Sequence, residues 1–258
     1  MHSIKMFLRI VLLFTMCCAS RVWSQNHEAA KGKSALFLDI NLGYGWPQGL
    51  LAERFGNNQS VGLGLSYEPA RYHFPIGFKW TYMFGNEVRE DVLAPYRTSD
   101  LNQIIGEDGF QTDVVLRERM FVLQAYTGGI FPLGSQKHAK HGIRWSLGCG
   151  FLQHRIRIQD DSRAAGQIDD VFRAGHDRLT NGFALTSFAG YEYRSFSGRI
   201  NFYAGFEPVI GFTESRRSYN YDVMRSDLGV ARRDVLLQFK LGWHIPYFLG
   251  NYGEEIEY

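Results

Sequence analysis

Histidine and aspartate residues cluster in one part of the chain, where they could act together in acid–base chemistry. A His–Asp pair can activate water or a hydroxyl group by general-base catalysis. The pattern assigns no nucleophile beside these groups, and a His–Asp dipeptide in a polar segment is most often solvated surface. We therefore expect no catalytic site. The alternative is an enzyme that uses His154, Asp160, Asp161, His176 and Asp177.

Two acidic pairs offer carboxylate oxygens of the kind that Ca²⁺ prefers. Asp160-Asp161 and Asp169-Asp170 lack the Asp-x-Asp-x-Asp spacing of an EF-hand. Beyond Cys17 and Cys18 only Cys149 is present, so the sequence predicts neither a disulfide framework nor a thiolate metal site. We expect no metal and no cofactor, while calcium binding by the acidic pairs stays an open alternative.

The first residues, Met1–Ser24, have the pattern of a cleaved signal peptide. A basic start with Lys5 and Arg9 precedes an apolar stretch, and small residues suit the cleavage positions before Gln25. The apolar stretch is shorter than the roughly 20 residues of a spanning helix, which disfavours an uncleaved anchor. Loss of Lys5, Arg9 and Arg21 changes the net charge from +2 to −1, so we expect no nucleic-acid partner.

Large apolar residues alternate with small or polar ones along much of the chain, which predicts β-strands. In Val235–Phe248, for example, Leu241 and Trp243 share one face, and Gln238 and Lys240 share the other. In the fourth segment the pattern is the least regular. The eight segments are 35–46, 60–67, 76–84, 119–131, 143–151, 182–193, 200–207 and 235–248.

The connections between these segments alternate between short and long. Residues 68–73, 133–140 and 195–198 form the short ones, and 47–59, 85–117, 160–178 and 213–232 form the longer ones. Short turns on one side and long loops on the other are typical of bacterial outer-membrane barrels, whose long loops are extracellular. This pattern predicts an all-β, eight-stranded antiparallel up-and-down transmembrane β-barrel with periplasmic termini.

Side-chain volume decides which face of each strand points outward. The interior of an eight-stranded barrel is just wide enough for side chains to fill it. The large apolar faces do not fit there, whereas the opposite faces, rich in Gly, Ser, Ala, Asn and Thr, do. We therefore expect the large faces to contact lipid. Aromatic residues of these faces should form girdles at the lipid–water boundaries: Tyr44, Trp46, Tyr67, Trp80, Trp145, Tyr193, Trp243 and Tyr247.

The same assignment places six charged residues inside the lumen. Charges in so narrow a space must pair or incur a desolvation cost of several kcal/mol each. We predict a salt-bridge network that closes the lumen, with a proton or ion path as the alternative. Its members are Asp39, Lys79, Arg144, Glu192, Glu207 and Lys240.

The strand pattern, the loop alternation and the aromatic-rich last strand resemble the small eight-stranded outer-membrane barrels. The OmpA transmembrane domain and the PorT-like barrels of Bacteroidetes are examples, and the resemblance rests on no sharp motif. It implies a location in the outer membrane of a Gram-negative cell envelope. The domains expected are the signal peptide (1–24), a periplasmic lead (25–33), the barrel (34–248) and a periplasmic tail (249–258).

The function expected is structural or accessory, as a subunit or scaffold of an outer-membrane assembly. The resemblance to PorT-like barrels implies a protein-secretion or barrel-biogenesis machine as one host. Expected partners are membrane lipid, lipopolysaccharide that contacts Arg216-Arg217 and Arg232-Arg233, and other envelope proteins. The alternatives are an outer-membrane protease or lipid hydrolase with its site at the outer rim, and a surface adhesin or ligand-binding barrel that uses the long loops.

Overall fold

The computed structural model describes residues 34–70, 74–106, 109–133, 139–160, 170–195 and 201–249. The predicted signal peptide, the lead at 25–33 and residues 250–258 of the predicted tail lie outside this part of the chain. The strands are β1 (Ser34–Gly49), β2 (Asn58–Glu68), β3 (Ile76–Gly85), β4 (Ile104–Ile105), β5 (Gln111–Thr112), β6 (Val114–Pro132), β7 (Ala139–Asp160), β8 (Thr180–Ser195), β9 (Asn201–Ser215) and β10 (Ala231–Leu249). The helices are α1 (Leu50–Arg54), a 3₁₀ turn (Ala94–Tyr96) and α2 (Asp170–His176).

Eight of these strands close into one antiparallel barrel in the order β1-β2-β3-β6-β7-β8-β9-β10, while β4 and β5 form a small separate hairpin. Each barrel strand pairs with its neighbour along the chain, and β10 pairs with β1 to complete the ring. The predicted fold is therefore confirmed. Among the described residues, no helix is both long and apolar enough to cross a membrane.

Burial alternates along the strands as the sequence pattern predicts. In β2, Ser60 and Ser66 are buried, whereas Leu63 and Leu65 are 51% and 54% exposed. The fourth segment, least regular in sequence, follows the same rule, since Leu123 on its outward face is exposed and Gln124 on its inward face is buried. Large apolar side chains therefore form a continuous outer surface, as a transmembrane barrel requires.

The two ends of the barrel differ. The end that carries the four longer connections is called the loop end here, and the end with β1's start and β10's finish is called the terminal end. At the terminal end β10 includes Leu249, which pairs with Ser34, so the last strand runs one residue beyond the predicted barrel boundary. At the loop end β6 already begins at Val114 and β7 continues to Asp160. The predicted loop 85–117 is correspondingly shorter than expected.

The chain turns inward at the end of β1. Gly49 has φ 58°, a left-handed conformation that glycine adopts without strain. The short helix α1 follows at once and directs Leu51 into the barrel mouth, where 1% of its surface is exposed. Phe55, just after α1, is fully buried beside it. The first loop therefore fills the mouth of the barrel.

Candidate functional site

Glu207 holds one half of the charge network in the lumen. Lys79 donates to Glu207 with an Nζ–Oε2 distance of 2.5 Å, and Lys240 donates with an Nζ–Oε1 distance of 3.1 Å. Gln124 donates a further hydrogen bond of 3.3 Å, and Lys240 also donates to Thr81 at 3.1 Å. One carboxylate thus pairs with two ammonium groups, and every member of the group is buried.

A second group of charges lies around Glu192. Arg144 donates to Glu192 with an Nη1–Oε2 distance of 3.2 Å, and Arg194 pairs with the other carboxylate oxygen. Arg194 also pairs with Glu68 at 2.6 Å. Arg144 further contacts Nε2 of His244. This group joins strands β2, β7, β8 and β10 across the lumen.

Asp39 is linked to the second group through Tyr203 and His244. It accepts hydrogen bonds from Asn41 at 2.6 Å and from the Tyr203 hydroxyl at 3.2 Å. Its other oxygen lies 3.3 Å from Nδ1 of His244. The Arg144 guanidinium stacks over the Tyr203 ring at 4.4 Å, a cation–π contact that fixes both groups.

The structure places the six charges predicted for the lumen there, all buried, in two pairing groups instead of one uniform network. The sequence analysis did not include His244, Tyr203, Arg194 and Glu68 in that network. His244 and Tyr203 stand on the inward faces of alternating segments, so the alternation carries the signal for them. Glu68 and Arg194 lie at strand ends, where alternation alone says little about pairing.

Toward the loop end, the lumen is filled by an apolar plug, which the sequence analysis did not predict. The inward faces of β6 and β7 change there from small or polar residues to large apolar ones, such as Met120 and Ile156. Loop residues Val92 and Leu93 add fully buried side chains from above. The plug comprises Leu51, Phe55, Met83, Val92, Leu93, Ile104, Val114, Leu116, Met120, Val122, Leu152, Ile156, Ile158, Ala184, Val209 and Leu236.

A salt-bridge chain ties the four longer connections together above the plug. Glu90 in the second connection pairs with Arg54 of α1 and with Arg178 after α2, each at 2.7 Å. Arg178 pairs in turn with Asp222 in the last connection at 2.6 Å. Arg54 also donates to Thr180 at 3.1 Å. We call this chain of Arg54, Glu90, Arg178 and Asp222 the loop cap.

The electrostatics of Glu90 reflect its place in the loop cap. Burial alone would raise the pKa of the Glu90 carboxyl, but the Arg54 charge and the hydrogen bonds from Arg178 and Arg54 lower it below its usual value of 4.5. The carboxylate is therefore the form that holds the cap together.

His176, the first candidate for acid–base chemistry, contacts no aspartate of the described chain through its ring nitrogens. Nδ1 lies 2.8 Å from the Phe172 carbonyl oxygen, and Nε2 lies 3.2 Å from the Tyr96 hydroxyl. The neighbouring Asp177 instead accepts two hydrogen bonds from Arg217, at 2.7 and 2.5 Å. Asp161 and Asp169 lie outside the described residues.

The other candidate histidine, His154, does meet a carboxylate. Its Nε2 lies 2.9 Å from Oδ2 of Asp234, which also accepts a 2.5 Å hydrogen bond from Thr213. In catalytic triads the histidine stands between the acid and the nucleophile. Here the carboxylate stands between the imidazole and the hydroxyl, and His154 is fully buried against the Phe55 ring. The geometry is that of a packed polar pair within the plug.

The residues proposed for aromatic girdles all stand on outward faces. Tyr44, Tyr67 and Tyr247 are 41%, 40% and 69% exposed, near the ends of their strands. Trp46 packs edge-on against Tyr44, and Tyr193 stacks with Phe202. Trp80, however, lies in the middle of β3, where it stacks with Tyr82. Trp145 and Trp243 also lie several residues away from the ends of their strands.

The fold defines the class of this protein as a small transmembrane β-barrel whose lumen is filled by buried side chains. No protein-family model and no curated protein sequence matches the chain. Among solved structures, Neisserial surface protein A (NspA) is similar at 10% identity with a TM-score of 0.46, over 83% of this chain and 99% of that one. The attachment invasion locus protein Ail of Yersinia pestis is similar at 9% identity with a TM-score of 0.39, over 84% of this chain and 100% of that one. These likenesses concern the fold alone.

Replacing the shared carboxylate tests the first charge group. In Glu207→Gln, two buried ammonium groups lose their counter-charge, which costs about 3–5 kcal/mol for a buried pair. We expect the free energy of unfolding in detergent, measured by urea titration, to fall by that order. Glu214→Gln, an exposed position on the same strand, is the matched control. Equal stability of the two variants would contradict the assignment.

Acidification tests the loop cap. Because the pKa of Glu90 is depressed in the folded protein, its stabilising contribution is present above pH 4.5 and is lost as the pH falls through the folded value. We expect the protection of the amides of residues 86–93 against hydrogen exchange, corrected for intrinsic exchange, to decrease when the pH is lowered below 4.5. Glu90→Gln should lose this protection at neutral pH already.

The control for this experiment is Glu87→Gln, since Glu87 forms an exposed pair with Arg89 in the same connection. If Glu90→Gln and Glu87→Gln exchange alike at neutral pH, the cap does not depend on Glu90.

Proposed function

We propose that this chain is an outer-membrane β-barrel with a structural or accessory role, as a subunit or scaffold of an outer-membrane assembly. The observation that carries the proposal is the filled lumen: charge groups, apolar plug and loop cap follow one another along the axis. Eight-stranded barrels leave no aqueous channel, and buried side chains of the described strands fill the lumen of this one. We therefore place the function on the outside of the barrel.

The outer membrane is the location that supports this role best. Barrels with long loops on one side and short turns on the other are the spanning structures of that membrane. The predicted signal peptide leads to the same compartment. We place the loop end outside the cell and the terminal end in the periplasm, in keeping with the same rule.

The surface of the loop end favours a protein partner. Beyond the membrane-facing strands, Val171 and Met224 are 66% and 79% exposed. Both line a cleft of about 520 Å³ together with Tyr96, Phe172, His176, Tyr219 and Tyr221. Apolar side chains exposed to water at this density mark interaction surfaces. A secretion or barrel-biogenesis machine is a host in keeping with the resemblance to PorT-like barrels.

A surface adhesin or ligand-binding barrel is the second candidate, and the same aromatic cleft favours it. Deleting the second connection would not separate the two functions, because Val92 and Leu93 belong to the plug and their loss would disturb the barrel mouth. Substitutions of single cleft residues test the two functions without disturbing the barrel mouth.

Isolation from native membranes in mild detergent tests the subunit role. We expect the full-length protein to co-purify with larger envelope proteins in a defined ratio. The double variant Val171→Asp/Met224→Asp should lose them, since it places two charges in the contact. Ser226→Asp, an exposed position in the same connection as Met224, should retain them.

Elution of the unsubstituted protein alone under all mild conditions would overturn the subunit role. Binding to host surfaces that depends on the same two residues would favour the adhesin.

A further inference from the structure

Four arginines form a compact group on the outer surface near the loop end. Arg117 and Arg119 stand on β6, directly opposite Arg157 and Arg155 on β7. Their side chains point away from the lumen, since the residues between them, Glu118 and Ile156, are fully buried. We call these four residues the arginine quartet.

The quartet brings like charges together in a way that strands normally avoid. Directly opposed residues have Cβ atoms about 4.5–5.5 Å apart, and like charges there are destabilising. Arg117, Arg155 and Arg157 make no hydrogen bond or ion pair with any other part of the described chain. Arg119 donates one hydrogen bond to the Glu118 carbonyl oxygen, which carries no net charge.

Among the described residues of β6 and β7, the outward positions next to the quartet carry no acid. The nearest outward positions along the two strands are Val115, Gln159, Gln153 and Phe121. Several other exposed arginines at the loop end have acidic neighbours, such as Arg216 beside Glu214 and Arg89 beside Glu87. No described acid forms an ion pair with the quartet, so its guanidinium groups are available to an external anion.

The apolar surface next to the quartet identifies where that anion comes from. Phe121 and Phe151, whose ring centroids are 6.0 Å apart, lie immediately toward the middle of the barrel. At a strand tilt of about 40°, Arg119 and Arg117 lie roughly 5 and 10 Å beyond Phe121 along the barrel axis. The headgroup layer adds roughly 5–8 Å to each side of the hydrocarbon core. Long arginine side chains can adjust within that layer.

A cleft beside the quartet leaves room for a headgroup. The ladder between β7 and β8 ends at His154 and Thr180, and beyond it the Ile156 amide donates to the Asp177 carbonyl oxygen at 2.7 Å. A cleft of about 490 Å³ lies there, with Arg155 and Arg157 along one side and α2 along the other. Two acids also line this cleft: Asp177, which is bound by Arg217, and Asp160 at the end of β7.

We propose that the arginine quartet binds the phosphate groups of a lipid in the leaflet at the loop end. This inference rests on the membrane location stated above and names a ligand class and a site for it. Guanidinium groups bind phosphate through paired, charge-assisted hydrogen bonds, and four of them match a headgroup with more than one phosphate. The lipid's acyl chains lie over Phe121 and Phe151.

The test uses purified full-length protein in detergent and lipid A that carries two phosphates as the probe. We expect Arg155→Gln/Arg157→Gln to bind it about tenfold more weakly than the unsubstituted protein, since several charge-assisted hydrogen bonds are lost. Arg89→Gln/Arg225→Gln removes the same charge from exposed loop positions and should bind normally. Enzymatically dephosphorylated lipid A should bind both double variants and the unsubstituted protein equally weakly.

Inorganic phosphate added at the lipid's concentration distinguishes a lipid site from a free-anion site. We expect it not to displace the lipid, and displacement would overturn the proposal, as would equal binding by the two double variants. The variants' folding is checked separately by insertion into liposomes. If the unsubstituted protein inserts but binds lipid A and dephosphorylated lipid A equally, this inference alone is contradicted. If the unsubstituted protein does not insert, the membrane location is contradicted.

Discussion

The narrow circumference of an eight-stranded barrel is the constraint from which the rest of this structure follows. The interior accepts only a limited side-chain volume per level. A large inward residue therefore requires a very small one beside it. Tyr203 illustrates this, because a Cβ on Gly242 would lie 2.2 Å from its ring. The large apolar side chains that remain have no place except on the outer surface, where they need lipid.

The interior solves the problem of closure differently in its two halves. Toward the terminal end, charged residues pair with one another, as Lys79 and Lys240 do with Glu207. Toward the loop end, apolar residues such as Met120 and Leu152 pack as in a soluble core. The first half needs ion pairs because an unpaired buried charge is costly, whereas the second half holds its few polar groups in contacts such as His154–Asp234 and Asn58–Glu118. In both halves, buried side chains of the described strands fill the lumen.

Much of the barrel could be predicted from alternation, because period-two patterns state directly which residues share a face. The pattern placed Asp39, Glu192 and Lys240 inside, where the structure has them. Which charges pair could not be predicted, since it depends on barrel stagger and on partners distant in sequence. Lys79 and Glu207, for instance, lie 128 residues apart.

The loop end was the least predictable region. At this end, the inward faces of β6 and β7 are mostly apolar, like the core-facing side of a strand in a soluble protein, while their outward faces carry Arg119 and Arg155. In the membrane-spanning part the arrangement is the opposite, with apolar residues outward and polar residues inward. That reversal marks the point where the strands leave the hydrocarbon. Salt bridges such as Arg54–Glu90 connect loops whose sequences show no periodicity, so their contacts become evident only in the folded structure.

Contact between the outer surface and lipid can be measured at Cys149, which is exposed on β7. A nitroxide label there, on protein reconstituted in liposomes, should collide frequently with oxygen and rarely with a water-soluble nickel complex, because oxygen concentrates in hydrocarbon. A label at Ser226→Cys in a Cys149→Ser background should show the opposite preference, since this loop position is exposed beyond the barrel. A Cys149 label that meets the nickel complex as readily as the Ser226→Cys label does would contradict the account.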